Sequence, residues 1–277
     1  MNSVTSIDTI LDIIMRVKNL KKGYVTNFFL DVPKSELWIK LNLVLCEIVG
    51  ETAFICRKNQ GFYNLFYITT DLQVLRRDID IFYKQHLKEI FVVDVIGRLG
   101  DIENIKPVFD HTGFYQYTTL VRMSKVHSES GTSQIDSKFI FYSDNQMAHS
   151  IYELLLNNFD PYAEQLPLIE EIDAWTKDSS ILIFSNDKKT IQGFLIFELK
   201  GQTSYLRYWF VHPDYREMKI GSALLHKFFN ESSDTKRQLF WVINSNENAI
   251  KRYQHYGFTK EGLVDCILIN KNICYEG

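Results

Sequence analysis

The chain has 277 residues, too many for one minimal domain and enough for two of about 140. At 45% hydrophobic, 23% charged and 14% aromatic it can bury a sizeable core, which excludes a disordered or fibrous protein. Lys plus Arg at 31 against Asp plus Glu at 34 leaves a formal charge of -3, without the basic excess of a dedicated nucleic-acid binder, so no nucleic-acid partner is expected.

Cys46, Cys56, Cys266 and Cys274 lack C-x-x-C spacing, which argues against a structural zinc site and a disulfide framework. A reducing cytoplasm and no metal are the expectation. The first residues lack the basic region of a signal peptide, and the most apolar window, Leu37 to Ile55, is interrupted by Lys40, Glu47 and Glu51. No membrane span is predicted.

Ile7, Ile10, Leu11, Ile14 and Val17 repeat with helical spacing, which ends near Lys21-Lys22-Gly23. Strands are predicted at Leu41 to Val49, Thr52 to Cys56 and Phe62 to Thr69, with Lys58 to Gly61 as a hairpin turn. Asp71 to Lys88 reads as a charged amphipathic helix, and Ile90 to Ile96 as a buried strand broken only by Asp94. Between Ser124 and Ser137 the chain turns polar and loses periodicity, which places a domain boundary there, with domains at 1–125 and 138–277.

The second half repeats the plan. Helices are predicted at Ala148 to Asn157 and Leu168 to Trp175, strands at Ile181 to Phe184, Ile191 to Leu199 and Tyr205 to Val211, and a turn at Lys200-Gly201-Gln202-Thr203. After His212-Pro213 come a loop, the helix Ile220 to Phe229, the strand Leu239 to Ile243, the helix Glu247 to Tyr256 and the strand Leu263 to Ile269. Mixed α/β layers follow from this alternation. An offset of 144 residues also places Glu103, Asn104, His111, Gly113 and Phe114 on Glu247, Asn248, His255, Gly257 and Phe258, with Phe109 on Tyr253, which we read as a duplication.

The segment Val211 to Leu225 is the most informative. A strand ends, Pro213 prevents its continuation, and a loop feeds a helix whose first turn carries Gly221 and Ser222. Free amides at a helix N-terminus, reinforced by the macrodipole, form a site for a pyrophosphate. An ordinary strand-to-helix connection would be the plainer reading of the loop alone. Further on, Asn246 to Phe258 carries a natural N-cap at Asn246, a stop at Gly257, and Ala249 and Tyr253 on one helical face.

Strand, anion loop, helix and strand followed by Asn-x-x-Ala-x-x-x-Tyr-x-x-x-Gly-Phe resembles the GNAT acetyltransferase superfamily over about residues 148–270. The resemblance implies an α/β (α+β) fold with a mixed, mostly antiparallel sheet flanked by helices. The repeat extends it to a tandem, with a degenerate GNAT-like module at 1–125 and the acetyltransferase module at 138–277. It also implies coenzyme A phosphates on Arg216, Met218, Lys219, Gly221 and Ser222, the pantetheine arm along Phe210 and Val211 with Asn246 nearby, and Tyr253 as the acid that protonates the departing thiolate. Lys219 stands where the family pattern has its first glycine; backbone amides supply most of such a cradle, so binding is expected to survive.

The implied reaction is attack of a neutral amine on acetyl-CoA, with a small molecule or peptide as acceptor. A base is then needed, and Glu198, Tyr208 and His212, on or beside the central strands, are the candidates, with Glu198 put forward first. The connection Asn157 to Gln165 would line the acceptor pocket, where Asp160 and Glu164 either favour a cationic amine or cap helices. In the first half the stretch between Thr69 and Asp80, where an anion loop belongs, has no glycine, and Phe109 stands in the place of Tyr253, so that module is expected to hold no coenzyme. The competing reading is a coenzyme A-binding regulator or scaffold without turnover.

Overall fold

Short-range hydrogen bonds start most of the helices, and the computed structural model describes the chain over residues 1–126 and 137–271. After β1 (Asn2–Ser3), Ser6 accepts from the Thr9 amide and opens α1 (Ile7–Asn19), whose Ile10, Ile13 and Val17 are buried. β2 (Val25–Thr26) precedes α2 (Val32–Lys40), a helix absent from the sequence expectation. Asp31 caps it and Pro33 occupies its first turn, but its apolar pattern is too weak to announce it. β3 (Val44–Val49), β4 (Thr52–Lys58) and β5 (Tyr63–Thr69) follow, then α3 (Leu72–Gln85), where Asp71 accepts from the amides of both Gln73 and Val74. β6 (Phe91–Gly97), α4 (Leu99–Ile105) and β7 (Tyr115–Val126) come next.

The second series runs β8 (Ile140–Tyr142), α5 (Ala148–Asn158), α6 (Ile169–Lys177), β9 (Ile181–Phe184), β10 (Gly193–Lys200) and β11 (Thr203–Val211). It continues with α7 (Ile220–Glu231), β12 (Arg237–Ile243), α8 (Glu247–His255) and β13 (Thr259–Ile269). The sequence-derived boundary at 126–137 lies largely outside the described residues, as does Cys274.

The chain forms two units. The first comprises Met1–Leu120, Ile243–Ser245 and the C-terminal segment from Gly262. Its strand order is β1-β3-β4-β5-β6-β13, antiparallel except for the parallel pair β5 and β6 joined through α3. Val264 to Ile269 of the last strand pair with β6 here, so this unit borrows a strand from the end of the sequence. Phe82 on α3 stacks on Phe54 of β4, and both are fully buried.

The second unit comprises Val121–Val242 and Asn246–Glu261. Its order is β12-β11-β10-β9-β8, again antiparallel except for the parallel pair β11 and β12 joined through α7. One face carries α5 and α6, where Ile151, Leu155 and Ile172 bury Ile183, Phe194, Ile196, Tyr208 and Phe210. Each such side chain taken from water contributes about 1.5–3 kcal/mol. On the other face α7 approaches β10 closely: a Cβ on Gly193 would lie 2.9 Å from the Ile220 side chain. The architecture is therefore a mixed α/β fold with mostly antiparallel strands flanked by helices, and the two series of elements run in the same order except for β2, which is extra in the first. Among the described residues no helix is long and apolar enough to cross a membrane.

Candidate active site

A break in strand register creates the central feature of the second unit. β10 and β11 pair from Lys200↔Thr203 to Phe197↔Leu206, then resume at Ile196↔Tyr208, leaving Arg207 as an extra residue. Such a bulge bends and twists its strand. The parallel pairing of β11 with β12 accordingly covers only Thr203↔Arg237 to Tyr205↔Leu239. Beyond it, among the described residues, the β12-facing edge of Leu206 to Val211 has no strand partner, and a gap opens between the two strands.

Glu198 serves the bulge. Its Oε2 lies 3.0 Å from Arg207 Nε and its Oε1 3.6 Å from Lys200 Nζ. This places the carboxylate toward the hairpin end of β11, engaged with two cations, and does not bring it to the far end where Val211 lies. His212, another sequence candidate, accepts a long bond from the Asp214 amide, and Tyr208 donates its hydroxyl to the carbonyls of Glu164 and Gln165.

At the end of β11 the chain turns through a short 3-10 segment, Pro213–Met218, into Lys219 at φ 56 and ψ 18. This left-handed conformation is the reason a glycine suits the position. The first bond of α7 runs from Ala223 N to Lys219 O. Among the described residues the amides of Ile220, Gly221 and Ser222 donate to no protein group, while Arg216, Met218 and Lys219 are exposed around them. These residues fit an anionic phosphate: unspent amides, the positive end of a twelve-residue helix, and two nearby cations. Phe210 is buried in the core and Val211 is half-buried beside Gly221.

Asn246 is exposed and caps α8, its Oδ1 accepting from the Ala249 amide at 3.1 Å. Gly257, at φ 88, ends the helix. Between them Tyr253 lies against Trp209, with ring centroids 5.5 Å apart, and against Phe240 at 4.5 Å. Burial pushes its phenol up to about 12, and the charge of Glu164 pushes the same way. Among the described residues its hydroxyl makes no hydrogen bond.

Glu164 is the residue the sequence underweighted. It sits on the α5–α6 connection, where Asp160 Oδ1 accepts from the Tyr162 and Ala163 amides, as a turn-former does. Glu164 Oε2 accepts from the Asp160 amide at 2.9 Å. Burial pushes its carboxyl up to about 7, opposed by that bond and reinforced by the Asp160 charge. Nothing in an aperiodic loop sequence announces this; the sole signal was a carboxylate flanked by Pro161, Ala163 and Pro167.

The first unit differs at each corresponding point. β4 and β5 pair without a bulge from Ala53↔Ile68 to Lys58↔Tyr63. β2 pairs along the end of β5 at Thr69 and Ile68, and the Asn27 amide then bridges β5 and β6. Its Nδ2 donates to Leu65 O and Asp94 O, and its Oδ1 accepts from Tyr67 N. The first-turn amides of α3 are taken by Asp71, and the phenyl ring of Phe109 packs on Tyr67 and Phe114. Protein groups fill the positions that are open in the second unit, and they do not fit a coenzyme. Among the described residues no cluster of three or more His, Cys, Asp or Glu is placed to hold a metal ion.

Residues 148–258 match the acetyltransferase (GNAT) family. No curated protein matches the sequence. Among solved structures, a GCN5-related N-acetyltransferase from Sphaerobacter thermophilus superposes with a TM-score of 0.60 at 13% identity, over 81% of this chain and 78% of that one. A GNAT-family acetyltransferase from Colwellia psychrerythraea gives 0.56 at 12% identity over 97% and 98%. A tandem GNAT protein from the clavulanic acid biosynthesis pathway gives 0.55 at 9% identity over 79% and 78%. The chain thus shares the fold of GNAT proteins, tandem ones included, and its residues 148–258 are a GNAT acetyltransferase-family domain.

Proposed function

We propose that the second unit is an acyl-CoA-dependent N-acyltransferase that uses acetyl-CoA as donor and a small-molecule or peptide amine as acceptor. The observation that carries this reading is the gap between β11 and β12, with unspent α7 amides at its mouth and the Tyr253 hydroxyl unbonded beside it. In this reading the amides of Gly221 and Ser222 hold the pyrophosphate with Arg216 and Lys219, and Met218 borders it. The open edge at Phe210 and Val211 aligns the pantetheine arm, near Asn246. Tyr253, with its pKa raised to about 12, stays protonated at neutral pH and gives its proton to the departing thiolate. The first unit is a GNAT-like module without coenzyme. The buried free thiols of Cys46, Cys56 and Cys266 suit a cytoplasmic setting.

The test has two arms. Acetyl-CoA and coenzyme A at millimolar concentration are expected to raise the melting temperature, because a ligand of the native state stabilises it by mass action. Release of free thiol is expected with members of an amine panel, and Tyr253→Phe is expected to lower kcat about 10²–10⁴-fold with little change in coenzyme affinity. No thermal shift would refute the reading. A shift without turnover would favour a coenzyme-binding scaffold, which the engagement of Glu198 by Arg207 also favours.

A further inference from the structure

We propose that Glu164, on the α5–α6 connection, is the general base that takes the proton from the attacking amine, working across the gap between β11 and β12 from Tyr253. The inference rests on the acyl-transfer reading above. Tyr208 and Phe210 face the α5 and α6 layer, whereas Trp209 and Val211 face α7, where they meet Gly221. Glu164 is tied to Tyr208 and therefore stands on the first face. Tyr253 packs against Trp209 with its ring tilted and therefore stands on the second. The charge of Glu164 nevertheless raises the pKa of Tyr253, and the pairing of β11 with β12 ends before Trp209.

The carboxylate is held in place. The Tyr208 hydroxyl donates to the carbonyls of Glu164 and Gln165, Glu164 N donates to Asp160 O, and Gln165 takes a left-handed turn at φ 43. Oε2 is occupied by the Asp160 amide, and among the described residues Oε1 accepts no hydrogen bond. The titratable groups around it are Asp160 on its own loop, Tyr208 on β11 and Tyr253 on α8, the last also under the charge of Arg252. A carboxyl that titrates near neutrality is matched to removing a proton from an amine.

In the step, the amine nitrogen forms a C–N bond to the thioester carbonyl carbon as the C–S bond breaks. Glu164 Oε1 receives the proton leaving nitrogen, and Tyr253 supplies the proton that the thiolate sulfur gains. Glu164 then returns a proton to the Tyr253 phenolate through solvent, so turnover of a neutral amine leaves the enzyme unchanged.

The experiment compares wild type with Glu164→Gln, whose amide oxygen can keep the bond from the Asp160 amide. Wild-type kcat is expected to rise with pH through about 7; Glu164→Gln is expected to lose that limb and about 10²–10⁴-fold in kcat, at unchanged KM for acetyl-CoA. A second readout needs no turnover. A carboxyl raised in the folded state stabilises below its unfolded pKa and loses that contribution as pH rises through the folded one. The melting temperature of wild type is therefore expected to fall relative to Glu164→Gln between pH 5 and 8. Wild-type turnover with kcat and limb unmoved in Glu164→Gln overturns the inference alone, as does a reduced kcat with the limb intact. Absence of turnover in the wild type overturns the acyl-transfer reading and this inference with it.

Discussion

Trp209 lies directly against Gly221: a Cβ on the glycine would sit 3.1 Å from the indole Cζ2 and 3.3 Å from Val211 Cγ2. The sequence suggests that the glycine is small so that an anion can approach it. The structure shows that its missing side chain faces β11, where it lets α7 pack closely. Gly221→Val is accordingly expected to cost about 1–3 kcal/mol by overpacking, measured by urea denaturation, whatever it does to a ligand.

Ser222→Asp separates the two roles. An acidic residue in the first turn is favourable to the helix but repels a phosphate held there. The expected outcome is an unchanged or raised melting temperature together with loss of the shift given by coenzyme A. A full shift in Ser222→Asp would remove α7 from the binding site. Lys219→Gly complements it: relief of the left-handed strain is offset by the greater freedom of an unfolded glycine, so stability should stay within about 1 kcal/mol. Calorimetric titration should show affinity reduced by at most about fivefold, with a weaker salt dependence.

The first unit holds a buried acidic pair, Asp94 and Asp265. Asp94 pairs with Ile267 and Asp265 with Ile96, so the two carboxyls share one face of adjacent strands. Burial, and then the charge of Asp94, raise the pKa of Asp265 well above its usual value, and its Oδ1 has no hydrogen-bond partner. The stabilising contribution of a raised carboxyl is complete below its unfolded pKa and is lost as pH rises. Asp265→Asn is expected to be more stable than wild type at pH 8, on the order of 1–3 kcal/mol, and level with it at pH 4. Equal urea midpoints at pH 8 would refute this account.

Asn27 bridges β5 and β6 in the first unit. It ties three backbone groups across β5 and β6, so Asn27→Ala is expected to cost about 2–4 kcal/mol in denaturant unfolding. Calorimetric titration of wild type should give one coenzyme A per chain. Two would overturn the assignment of the first unit as empty.

Much of the fold was legible because its causes lie within a few residues of one another. Ser6, Asp71 and Asn246 each cap a helix by reaching an amide two or three positions on, and Gly257 stops one by taking a left-handed φ. Alternating apolar runs likewise announced β4, β5 and β9 to β11. The tertiary structure decided what depends on partners far along the chain. The bulge at Arg207 is a mismatch of register between two strands, and it brings the Arg207 guanidinium onto the Glu198 carboxylate. The last strand joined β6 rather than its own half because strand pairing is indifferent to sequence distance. Glu164 gained its neutral-range carboxyl through burial against a strand more than forty residues away, a desolvation that its neighbours in sequence do not encode.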